Sequence, residues 1–178
     1  MAAETAWIFV IIVFMQKAIS TEQTPENIQQ VLTLLANIPH CLQACANSLS
    51  LEQLTQPLGP SERTPTEVLA HILHCEALTA ESIYLALMLK EPLLHKVHAE
   101  RDIGNLLRLD QYTFEELLNY FTFRRKVLMN ILASLNEKQW ARTLREKGKK
   151  RQESVYWRAR SQALHELEHL EDIESKLA

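Results

Sequence analysis

A chain of 178 residues, 47% hydrophobic and 23% charged, is long enough to bury one substantial core and has the composition of an ordinary globular domain. A formal net charge of −3 does not suit a general nucleic-acid binder, whose domain is normally basic. With only three glycines, scarce strand-like alternation and many helix formers, the chain points to an all-α fold.

The first feature in chain order is the apolar run AWIFVIIVFM, residues 6–15. It is too short to span a bilayer as a helix but has the length of a signal-peptide core, with Ala18-Ile19-Ser20 as a poor cleavage site. The preceding MAAET carries Glu4 and no Lys or Arg, where a signal peptide needs positive charge. The preferred reading is an extension over residues 1–20, or a start placed too far upstream with Met15 as the native first residue. The domain is then 21–178, the expected location is the cytoplasm, and removing residues 1–14 should leave stability nearly unchanged. Cys41, Cys45 and Cys75 are odd in number and sit in helix-like contexts, so they read as reduced thiols.

The first helix opens at Thr24-Pro25, an N-cap followed by proline at N1, and continues through Ile28, Val31, Leu35, Ile38 and Leu42. Pro39 predicts a kink or break near residue 38. Residues 51–63 read as a turn-rich linker. Thr64-Pro65-Thr66-Glu67 is a capping box that starts a second helix running to about Lys90. Thr113-Phe114-Glu115-Glu116 starts a third, ending near Leu135, and Ser154 caps a fourth that spans about 154–176. Four long helices predict a four-helix bundle. The joins at 91–112 and 136–153 are long against the usual connection of about 2–8 residues, so they imply a crossover or a functional rim. A sheet of three or more strands would contradict this reading.

The last helix contains ALHELEHLEDI, 163–173, in which His165 and His169 lie four apart. That spacing stacks two imidazoles on one helix face, as a shared metal ion requires. The segment also spells H-E-x-x-H, a zinc-protease signature. Zinc needs a third protein ligand, however, and the chain ends too soon after His169 for the extended pattern. On the helical wheel both histidines fall on the polar flank beside Gln162 and Asp172, so surface histidines are the plain alternative. On the second helix His71 shares a row with Val68, Cys75 and Leu78, where a core histidine is the plain reading. Together, one inward histidine and a His-x-x-x-His pair offer three nitrogens with an open fourth position. His74 competes with His71, Glu76 could support a ligand, and Cys75 reads as a small core residue rather than a fourth ligand. Glu166 is a candidate general base, set against a solvated helix glutamate.

TPTEVLAHILHCEALTAESI, 64–83, resembles the second-helix motif of the DinB/YfiT-like metal-binding bundles, and ALHELEHLEDI resembles their last helix. The segments EPLLHKVHAERDI and FEELLNYFTFRRKVLMNIL and the stretch from Gln139 to Ser154 share the family's character, so the resemblance covers about 24–178. It implies a bundle with up-down-down-up connectivity and a divalent metal, zinc, nickel or iron, held by His71, His165 and His169. The tryptophan usual before the second helix is replaced by Arg63. Characterised relatives include low-molecular-weight-thiol transferases and maleylpyruvate isomerases, which makes a metal-dependent transferase or hydrolase acting on a small molecule the leading expectation. A non-catalytic, stress-associated bundle with structural or no metal is the alternative. The basic run RTLREKGKKR, 142–151, could draw an anionic substrate to the site or be a solvated loop. Neither nucleic acid nor membrane is expected as a partner, and a homodimer stands as an option for the assembly.

Overall fold

The computed structural model describes residues 19–177. The apolar run at 6–15, and with it the readings of the extension and the start site, lie outside these residues. Ile19 and Ser20, assigned from sequence to the extension, in fact pack on the bundle. Ile19 is buried, its carbonyl accepts from Arg160, and the Ser20 carbonyl accepts from Tyr156 Oη at 2.6 Å.

Four long helices carry the fold: α1 (Pro25–Ser48), α2 (Pro65–Met88), α3 (Phe114–Ala133) and α4 (Val155–Leu177). Local chemistry sets their starts. Thr24 Oγ1 accepts from Asn27 N, Thr64 and Glu67 close one capping box, Thr113 and Glu116 another, and Ser154 Oγ accepts from Trp157 N. The linker read at 51–63 contains a helical turn at Leu51–Thr55, capped by Ser50 and Gln53.

The expected break at Pro39 does not occur, and α1 runs through it as one helix. Proline has no N–H to give the carbonyl four residues back, which is that of Leu35. Arg125 from α3 supplies the missing donor, with Nη1 at 3.0 Å from Leu35 O. An interhelical hydrogen bond thus replaces the intrahelical one.

α1 packs chiefly on α3 and α4, and α2 on the same two helices, so α1 and α2 lie across one diagonal and α3 and α4 across the other. The residues ahead of α1 touch the first turns of α4, and Gln23 donates to the Glu137 carbonyl just beyond α3. His71 and Thr79 of α2 face His165 and Gln162 of α4 in reverse order. These contacts run α1 and α4 one way and α2 and α3 the other. Between the helices Leu35, Leu42, Leu69, Ile72, Ile83, Phe121, Leu128, Tyr156 and Leu167 are essentially inaccessible, a close-packed interior shared by all four.

The joins are structured. Residues 93–94, 143–146 and 153–154 form a small three-stranded ribbon, parallel between the first two strands and antiparallel between the last two. The sequence reading did not foresee it, because strands of two, four and two residues are too short to show alternation. These three strands meet the count set against the all-α reading, but with eight residues in all they only tie the α2–α3 join to the α3–α4 join and add no layer, and the fold remains the expected four-helix bundle. The α2–α3 join also forms a π-helical stretch, Ala99–Gly104, that lies on α2. Among the described residues no helix is long and apolar enough to cross a membrane.

Candidate metal centre

His71 stands in the second turn of α2, and its facing partners His165 and His169 stand one turn apart on α4. His71 Nε2 is 3.2 Å from His165 Nε2, and His169 Nε2 is 3.1 Å from the same atom. The three ring centroids lie 4.6–5.1 Å apart, each pair edge-on. Two nitrogens bound tetrahedrally to one ion at about 2.0–2.1 Å would be separated by about 3.3 Å, close to both observed distances.

Proton placement makes this arrangement awkward for the side chains alone. Glu100 Oε1 lies 2.9 Å from His71 Nδ1, and an ionised carboxylate only accepts, so Nδ1 carries the hydrogen and Nε2 presents a lone pair. A single hydrogen on His165 Nε2 can serve one neighbour only. Whichever way the protons are set, one of the two Nε2 contacts lacks a proper hydrogen bond. Burial, the largest cause in each case, pulls all three imidazoles below their ordinary pKa, His71 to about 4 with help from Arg63 and His169. The rings are therefore neutral near pH 7, and His71 turns its Nε2 lone pair toward His165, an arrangement a cation would stabilise. His165 Nδ1 is buried without a hydrogen-bond partner.

Supporting residues come from outside the two helices. Glu100, on the π-helical stretch, holds His71 and is itself paired with Arg63, the residue just before the α2 cap. Asp172 Oδ2 lies 3.9 Å from His169 Nδ1. Glu76, expected to support a ligand, instead pairs with Arg124 of α3 at 2.6 Å and is buried there. His74 points under the join, against Gly104, where a Cβ would come within 3.2 Å of the ring. His95 and His98 are exposed, and His98 caps the π-helical stretch.

Glu166 corrects both sequence readings, the general base and the solvated helix glutamate. It is fully buried, with Oε1 bound to Arg125 Nη2 at 2.5 Å and to Gln162 Nε2 at 2.7 Å. One residue of offset from His165 turns it about 100° around α4, away from the histidines and into the core. That removes the base the H-E-x-x-H protease reading required.

His165 opens on one side into a cleft of about 360 Å³ between α2 and α4. Cys75, Gln162 and His165 line it together with Lys149, Arg151, Glu153 and Trp157. Arg151 lies over the Trp157 ring at 3.9 Å. Cys75, read as a core residue, is half-buried on the cleft wall, and burial together with Glu100 and Glu166 raises its thiol to about 11. Its Sγ is 3.8 Å from His71 Nε2, and His71, Cys75 and His165 offer ligand atoms within 4.8 Å of one another.

A family profile described as the DinB superfamily matches residues 23–173. Among solved structures the chain is similar to YfiT from Bacillus subtilis, described as a probable metal-dependent hydrolase with an unusual four-helix bundle topology. The likeness has a TM-score of 0.78 at 15% identity and covers 88% of this chain and 89% of that one. Among curated proteins none matches.

Proposed function

This chain belongs to the DinB superfamily, and from that premise we propose that it is a metal-dependent transferase or hydrolase whose divalent ion is held by His71, His165 and His169. The observation that carries the reading is the meeting of three neutral imidazoles through Nε2 atoms 3.1–3.2 Å apart, with no proton arrangement that satisfies both contacts. A divalent ion in such a site supplies Lewis-acid chemistry, lowering the pKa of water or keeping a bound thiol ionised. The description of YfiT as a probable metal-dependent hydrolase supports the same class of reaction.

The chain's own residues would do the rest. Glu100 fixes the His71 tautomer and ring orientation, as carboxylates beside ligating histidines commonly do. The cleft admits a small molecule beside the histidines. Lys149, Arg151 and Arg158 on its lining outnumber Glu153, with which they pair, and so favour an anionic one; a low-molecular-weight thiol bearing a carboxylate fits that chemistry. Zinc, nickel and iron(II) all accept imidazole ligands.

Metal-free protein titrated with each of these ions should take up about one equivalent, and His71→Ala, His165→Ala or His169→Ala should each weaken uptake by about tenfold or more. Protein that binds no divalent ion stoichiometrically, or a His169→Ala variant that binds as well as wild type, would overturn the proposal. In that case a non-catalytic bundle becomes the better description.

A further inference from the structure

We propose that Cys75 is a fourth protein ligand of this centre, so that the resting ion is held by three imidazoles and one thiolate. The inference rests on the three-histidine reading above and extends it. His71 and Cys75 are four residues apart on α2, as His165 and His169 are on α4, so each of two facing helices offers an i, i+4 ligand pair. The rows meet: Cys75 Sγ is 3.8 Å from His71 Nε2, and these two atoms and a His165 ring nitrogen lie within 4.8 Å of one another. A nitrogen at about 2.0–2.1 Å and a sulfur at about 2.3 Å on one tetrahedral ion would be about 3.6 Å apart. The observed separation is within a few tenths of an ångström of that.

Among the described residues the thiol's hydrogen-bond contact is with His71. Cys75 lines the cleft wall beside His165. The other two cysteines are remote from this role. Cys41 and Cys45 are buried on α1, against Glu174 near the end of α4.

Ligation would break the Cys75 S–H bond and form a sulfur–metal bond, with the proton leaving to solvent. Two consequences distinguish this site from a three-histidine one. A tetrahedral set of three nitrogens and one sulfur selects zinc over harder ions. It also fills the coordination shell, so a substrate must displace Cys75 or enter as a fifth ligand, as zinc sites allow.

Cobalt(II) is the probe, because a thiolate ligand gives it a charge-transfer band in the near ultraviolet that imidazole does not. Full-length protein loaded with one equivalent of cobalt should show that band. Cys75→Ser should lose it while still binding the ion, and Cys41→Ser should keep it. X-ray absorption of the zinc-loaded wild type should find one sulfur in the coordination shell, a measurement that does not depend on any variant folding. One equivalent of cobalt bound without the band, or a zinc shell of nitrogen and oxygen only, overturns the role of Cys75 and leaves the three-histidine reading standing. Failure to bind cobalt or zinc at all overturns both.

Discussion

Replacing Glu166 by glutamine separates the two roles that its position in an H-E-x-x-H sequence confuses. Glu166 is 0% and Arg125 2% exposed in side-chain terms, and they meet at 2.5 Å. Glutamine keeps the shape and can still meet Gln162, but it leaves the buried Arg125 guanidinium without its directly bonded counter-charge. Its remaining contacts are the Leu35 carbonyl at 3.0 Å and the Phe121 ring at 4.8 Å. Removing one partner of a buried ion pair typically destabilises by about 3–5 kcal/mol. For a domain of this size each kcal/mol moves the midpoint by about 2–4 °C, so the thermal midpoint should fall by about 6–20 °C. Thermal and urea unfolding at pH 7 measure this directly. The pair Arg125→Met with Glu166→Leu removes both charges and should recover most of the loss, short of about 1–3 kcal/mol for the unsatisfied Leu35 carbonyl. A Glu166→Gln midpoint within about 2 °C of wild type, well under the range expected for a broken buried pair, would refute this account of the core.

Glu100→Ala should lower zinc affinity by about 10–100-fold with little change in unfolding, because it removes a support of His71 and no part of the core. Competition titration against a chelator measures it, and equal affinity in the variant would remove Glu100 from the site. Glu174 has its carboxyl pushed up to about 7, first by burial and then by Glu171, where it faces Cys41 and Cys45. The fold therefore favours the neutral acid. That contribution is fully present below the ordinary carboxylate pKa and is lost as pH rises through about 7, so the midpoint should fall between about pH 5 and pH 8. Glu174→Gln should flatten this slope, and an unchanged slope would show that Glu174 titrates normally.

Starts of helices were legible because caps are local: Thr64-Pro65-Thr66-Glu67 carries its own hydrogen-bond partners within one turn. The same holds for the i, i+4 spacing of His165 and His169, which fixes a shared face whatever the helix packs against. The sequence by itself therefore determined an all-α chain with a histidine pair on its last helix. The wheel set that pair on a polar flank, and His165 and Gln162 of that flank proved to line a cleft closed by α2, which no single-helix argument can see. Tertiary packing decided the rest. Glu100 reaches His71 across 29 residues, through a join with no periodic pattern, and its partner Arg63 stands where the family pattern has tryptophan. Arg125 reads as one more charge on an amphipathic helix. Only the approach of α1 and α4 makes it the donor that carries α1 through Pro39 and the counter-charge that holds Glu166 in the core. A buried charge is tolerated only where its partners are brought to it, and those partners lie 90 and 41 residues away along the chain.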